Sequence, residues 1–129
     1  MTPAILDASA ILAYLNAEPG GDTVRAHLPG VTVSAVNVAE VGAKLVDRSM
    51  SEHDMRTAIG VLGVEVAAFD EEAAYAAAML RDRTRRSGLS LGDRACLALG
   101  IARKLPVLTA DRSWAGLDLG IEIRLIRGA

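Results

Sequence analysis

Four acidic residues carry most of the chemical information in this chain: Asp7, Glu40, Asp93 and Asp111. They are far apart in sequence. Asp7 closes the apolar run Ala4-Ile5-Leu6, and Asp111 follows Val107-Leu108 across Thr109 and Ala110. Glu40 and Asp93 stand near the starts of two helical stretches, Ser34-Ala35-Val36-Asn37-Val38-Ala39-Glu40 and Leu91-Gly92-Asp93-Arg94-Ala95-Cys96. The only cysteine is Cys96, and neither His27 nor His53 lies in a ligand-like spacing. Carboxylates gathered without sulfur or imidazole make a hard, all-oxygen site, suited to Mg²⁺ or Mn²⁺ rather than zinc. Such an ion serves phosphoryl chemistry. It reverses the local sign for an anionic phosphodiester, polarises a phosphoryl oxygen and lowers the pKa of a coordinated water. One carboxylate can then align that water or take its proton, and Asp93 is the candidate.

Each acid also has an ordinary structural reading. Asp7 can cap the helix that follows it, and Asp111 the short segment from Arg112 to Ala115. Asp93 is the fourth residue of Ser90-Leu91-Gly92-Asp93, a capping-box pattern. Glu40 is the exception: it lies among Val38, Ala39, Val41 and Gly42, where a lone carboxylate is costly to bury unless paired or metal-bound.

The elements that must position these acids alternate between strand and helix. Strands are expected at Pro3 to Leu6, Val31 to Val33, Val64 to Val66, Pro106 to Leu108 and Ile121 to Leu125. Helices are expected from Ser9 to Leu15, from Asp22 to Leu28 before Pro29-Gly30, and from a Ser34 cap to Arg48. Ser51 and Asp54 box a helix from Glu52 to Leu62; Asp70 caps one ending at Gly88; Ser90 opens one to Lys104. Several strands are continuous apolar runs, which favours a mostly parallel sheet of four to five strands covered on both faces, a three-layer α/β/α arrangement. In such sheets ligands bind beyond the carboxyl ends of the strands, where Asp7 and Asp111 fall.

Composition narrows the field. One domain over residues 1–129 is expected, with 51% hydrophobic residues to build its core. Aromatic residues are only 3%, so stacking of bases on aromatic platforms is disfavoured. No signal peptide or membrane span is legible, so a cytoplasmic protein is expected. The net charge of −2 argues against a generic nucleic-acid coat. Locally the sign reverses. Arg81, Arg83, Arg85 and Arg86 precede Gly88, Arg94 follows Asp93, and Arg112 follows Asp111. Arg85 and Arg86, then Arg94 and Arg112, are the expected contacts for a polyanion, the alternative being a solvated helix end.

Four motifs stand in order: Ile5-Leu6-Asp7-Ala8-Ser9-Ala10, Ser34-x-x-Asn37-x-x-Glu40, Leu91-Gly92-Asp93-x-x-Cys96-Leu97-Ala98-Leu99, and Leu108-Thr109-Ala110-Asp111-x-x-Trp114. Together they resemble the PIN-domain ribonucleases, most closely the VapC-type toxins of bacterial toxin–antitoxin pairs, over nearly the whole chain. The resemblance implies that Asp7, Glu40, Asp93 and Asp111 hold one or two Mg²⁺ or Mn²⁺ ions for cleavage of RNA. It implies supporting roles for Ser9 and Thr109 near the first acid, and for Asn37 one turn before Glu40. Trp114 is expected to pack beside the pocket. A cognate VapB-type antitoxin and a homodimer are also implied, the latter through helices around Val36 to Met55. A haloacid-dehalogenase phosphatase would need a second Asp at position 9, where Ser9 stands, and a receiver domain would need paired acids near the first strand. A PIN-fold interaction module without activity is the remaining alternative, against which the intact acid set speaks.

Overall fold

A computed structural model describes residues 3–128; Met1, Thr2 and Ala129, the ends of the expected 1–129 domain, lie outside it. Its centre is a sheet of five strands in the order β3-β2-β1-β4-β5, every pair parallel. The strands are β1 (Ala4–Leu6), β2 (Val31–Ser34), β3 (Glu65–Ala67), β4 (Val107–Thr109) and β5 (Ile123–Leu125). Parallel strands require crossovers; the one from β4 to β5 passes through a 3₁₀ turn over Arg112–Gly116, and α-helices supply the others. They are α1 (Ala8–Leu15), α2 (Gly21–His27), α3 (Ala35–Asp47), α4 (Glu52–Gly60), α5 (Glu71–Thr84) and α6 (Leu91–Arg103).

Side chains alternate along each strand, so each face collects its own core. Ala4, Leu6, Val31, Val33 and Leu108 join Ile11, Val24, Val41 and Leu45 on the side of α1 to α4. Ile5 and Val107 join Ala77, Leu80, Leu97 and Trp114 on the side of α5 and α6. Trp114 is fully buried there.

The strand order decides where a site can form. From β1 the chain winds outward through β2 to the β3 edge, then returns through α5 and α6 to β4 on the other side of β1. The winding therefore reverses between β1 and β4, and a crevice opens at their carboxyl ends. Asp7 and Asp111 follow those two strands.

Several boundaries differ from the sequence reading. α1 begins at Ala8, one residue before the expected Ser9, and Asp7 is its cap as the sequence suggests. β3 ends one residue later, at Ala67, and β5 begins at Ile123 rather than Ile121. The helix expected to run to Gly88 stops as an α-helix at Thr84, whose hydroxyl donates to Leu80 O at 2.7 Å. The chain tightens into a 3₁₀ turn over Arg85–Ser87, and Gly88 ends it at φ 64°, a conformation that favours glycine.

Candidate functional site

Asp7 is the best-fixed of the four acids. It is only 5% exposed and caps α1, accepting from Ala10 N at 2.9 Å. Ser9 Oγ reaches both of its oxygens, at 2.8 and 2.9 Å, and Thr109 Oγ1 donates to Oδ2 at 2.9 Å. Those hydroxyls are themselves held by backbone: Ala110 N donates to Ser9 Oγ at 2.9 Å, and Asp111 N to Thr109 Oγ1 at 3.0 Å. The loop after β4 is thus pinned to the loop after β1. Burial pushes the Asp7 carboxyl up to about 6, although the Ala10 N–H and both hydroxyls oppose the rise; the charge of Asp93 adds to it. A carboxylate offers about four lone-pair directions, so these three donors leave Asp7 room for a further ligand.

Glu40 is placed by a contact between helices. Asn37, one turn earlier on α3, donates from Nδ2 to Glu40 Oε1 at 2.8 Å and to Gly92 O at 3.1 Å. Both partners are acceptors, so the amide can face them only with its nitrogen. Asn37 is buried, and its Oδ1 has no partner among the described residues. The Glu40 carboxylate packs directly over Gly92, where a Cβ would overlap it. Glycine is needed at 92 for this close approach.

Asp93 stands in the first turn of α6 and completes a reciprocal box: Ser90 N donates to Asp93 Oδ2 at 2.9 Å, and Asp93 N to Ser90 Oγ at 3.2 Å. Asp111 caps a 3₁₀ turn over Arg112–Gly116, accepting from Ser113 N at 2.9 Å and Ser113 Oγ at 2.7 Å. Three of the four acids therefore do have structural roles as caps; Glu40 caps nothing. The capping itself points these carboxylates across the carboxyl end of the sheet.

All four line one open cavity of about 220 Å³, with Ala8, Ser9, Leu12 and Lys44. A larger groove of about 420 Å³ lies against α5 and α6, but alanines dominate its walls and it gathers no comparable set of reactive groups. Cys96 lies behind the acids: burial pushes its thiol well up, and Asp7, Asp93 and Glu40 push it further. It is a core residue.

The donor set fits a hard divalent cation in its chemistry. Among the described residues, however, no three acidic, histidine or cysteine side chains stand close enough together to hold a metal ion as they are placed. Mg²⁺ typically keeps several waters and takes one or two carboxylates plus phosphate oxygens, so it does not require three protein ligands.

Lys44 was not singled out by the sequence analysis. It sits one turn after Glu40 on α3, so the residues at 37, 40 and 44 share a helix face. The arginines are scattered more widely. Arg85 pairs with Asp82 at 2.7 Å and, with Arg81, lines a separate surface cavity beside Gly88 and Leu89; Arg86 is exposed on the same 3₁₀ turn. Arg94 is half-buried and turned onto α5, donating to Ala77 O at 3.3 Å. Arg112 lies against Gly128.

Comparison with known proteins places the chain. A family model described as PIN domain matches residues 4–118. No curated protein gives a significant match. Among solved structures, the chain is similar to the toxin–antitoxin complex from Klebsiella pneumoniae, at 16% identity over 98% of this chain and 99% of that one, with a TM-score of 0.75. It is similar to VapC20 of Mycobacterium tuberculosis, described as a sarcin–ricin loop cleaving toxin, at 19% identity over 89% and 96%, with a TM-score of 0.70. It is also similar to VapBC-5 of the same organism, at 26% identity over 99% and 100%, with a TM-score of 0.61.

Proposed function

Because this chain belongs to the PIN-domain family, we propose that it is a metal-dependent endoribonuclease toxin, which hydrolyses RNA phosphodiester bonds and is inhibited by a cognate VapB-type antitoxin. One observation carries the reading: four carboxylates from four separate elements line one cavity at the switch point of a parallel sheet. The toxin and antitoxin parts draw on the neighbours named above, which are toxins or toxin–antitoxin complexes by description. A cytoplasmic site of action belongs to the same proposal; among the described residues no helix is long and apolar enough to cross a membrane. A homodimer belongs to the same proposal.

Asp7, Glu40, Asp93 and Asp111 would hold Mg²⁺ or Mn²⁺. When bound, the ion supplies a Lewis acid for the phosphate and acidifies a water. The chain's own contribution is order. Ser9 and Thr109 fix the Asp7 oxygens, and Asn37 fixes Glu40, so little reorganisation is needed when substrate arrives. Asp93 is anchored through Oδ2 and is our candidate for taking the proton from the attacking water.

Water attack leaves the RNA 2′-hydroxyl out of the reaction. End-group analysis of the cleaved RNA is expected to find a 5′-phosphate and a 3′-hydroxyl. A 2′,3′-cyclic phosphate would mean attack by the 2′-hydroxyl and would overturn this mechanism.

Arg85 and Arg86 are proposed to hold RNA phosphates outside the scissile bond. Removing both in Arg85→Ala/Arg86→Ala is expected to weaken RNA binding and flatten its salt dependence, by up to about 0.7 in log–log slope for each single-strand phosphate lost. Binding measured over several salt concentrations, with Ca²⁺ replacing Mg²⁺, checks this. A wild-type slope would make the cluster only a solvated helix end.

A further inference from the structure

Among the described residues, Lys44 is the one cationic side chain lining the acid cavity, beside Asp7, Glu40, Asp93 and Asp111. The chain has only two lysines, Lys44 and Lys104, against twelve arginines. Lys104 lies at the C-terminal end of α6, lining a different cavity with Pro106 and Glu122. Five arginines stand in ion pairs at the surface: Arg56 with Glu52, Arg85 with Asp82, Arg103 with Glu65, Arg124 with Glu122 and Arg127 with Glu18. Lys44 is different. Although Glu40 lies one turn away, no carboxylate among the described residues is in ion-pair contact with its ammonium. The Glu40 carboxylate is drawn instead toward Asn37 and Gly92.

An exposed, flexible, strongly hydrated ammonium at the mouth of an anionic cavity has two electrostatic consequences. It favours an anion arriving at the rim, and it disfavours a second cation inside. We propose that Lys44 binds an RNA backbone phosphate flanking the scissile one, and so aligns the strand across the acids. This inference rests on the ribonuclease reading and assigns the part of the substrate that α3 touches. The contact forms before and during cleavage alike, so it acts on KM more than on kcat.

The test uses the full chain, a fluorescein-labelled single-stranded RNA of mixed sequence and the variants Lys44→Met, Lys44→Arg and Lys104→Met. With Ca²⁺ replacing Mg²⁺, Lys44→Met is expected to weaken RNA binding roughly tenfold and to lower the log–log salt slope by about 0.7, the value for one phosphate on a single strand. Lys44→Arg should keep both, and Lys104→Met should match the wild type. With Mg²⁺, the Lys44→Met loss should fall on KM while kcat stays within about threefold. Calorimetry without RNA gives an independent reading: loss of the neighbouring positive charge should tighten Mn²⁺ binding several-fold. RNA affinity and metal affinity thus move in opposite directions. A Lys44→Met variant with wild-type RNA affinity and salt slope overturns the inference. So does one that loses metal affinity as well, because Lys44 would then act by supporting α3. If the wild type binds Mn²⁺ but neither binds nor cleaves the RNA, the ribonuclease reading itself fails, and the role of Lys44 falls with it.

Discussion

Asp7→Asn is expected to abolish RNA cleavage while raising the melting temperature of the metal-free protein by several degrees. The loss of activity follows from removing the most buried of the proposed metal ligands. The gain in stability follows from its environment. The folded Asp7 carboxyl is raised from 3.8 to about 6, so its charge is disfavoured by folding. Below about pH 4 the group is protonated in both states and the penalty is absent. It grows as pH rises through the window between those two values and remains in full above it. At pH 7 two pKa units correspond to on the order of 3 kcal/mol. Asparagine removes the charge and keeps the cap, because its oxygen can still accept from Ala10 N, while its NH₂ can donate to the Ser9 and Thr109 hydroxyls. Melting curves of wild type and variant across pH 4 to 7 check the sign: the difference should be small at the acid end and grow toward neutrality. Excess Mn²⁺ should stabilise the wild type and shrink the difference again. A large loss of stability in the variant would show instead that the carboxylate's hydrogen bonds outweigh its burial.

Gly92→Ala is expected to lower the cleavage rate on the order of a hundredfold with the fold intact. A methyl group at 92 would occupy the space of the Glu40 carboxylate, which can move only by leaving Asn37. A displacement of about 1 Å at a reacting centre is enough for a loss of that size. The displaced group is the far end of a flexible side chain, so the backbone can stay in place. Alanine is also the better helix former, by at most about 1 kcal/mol. The expected result is therefore a near-inactive variant that melts no lower than the wild type. Full activity in Gly92→Ala would remove Glu40, in its observed position, from the mechanism.

Much of the sheet was legible in the sequence because strands buried on both faces must be apolar throughout. Ala4-Ile5-Leu6 and Val107-Leu108 could hardly be anything else, and the acids at their ends followed. Helix starts were legible through their caps, as at Ser34, Ser51, Asp70 and Ser90. Helix ends were less so. Nothing in the residue types of Arg83-Thr84-Arg85-Arg86 announces the change to a 3₁₀ turn, where the Thr84 hydroxyl bonds back onto the Leu80 carbonyl. The extra residues assigned to the β5 strand fell in the turn after Gly120.

The surroundings of the acids show what adjacency in sequence conceals. Arg94 follows Asp93 directly, which suggested a shared pocket, but consecutive helix residues point about 100° apart. Arg94 accordingly turns onto α5. Lys44 is four residues from Glu40 and does share the cavity. Its spacing was available in the sequence, yet a lysine on an amphipathic helix reads as a solvated residue until the partner helices are placed. The packing of Glu40 on Gly92 was hidden for a different reason, because two positions 52 residues apart meet only when α3 and α6 cross.

In the proposed mechanism these carboxylates act through a divalent ion. The most direct measurement is RNA cleavage by metal-stripped protein, first in EDTA and then after Mg²⁺ or Mn²⁺ is restored in excess. No cleavage is expected in the chelator, and full recovery with the ion. Undiminished cleavage by the metal-free protein would contradict that mechanism.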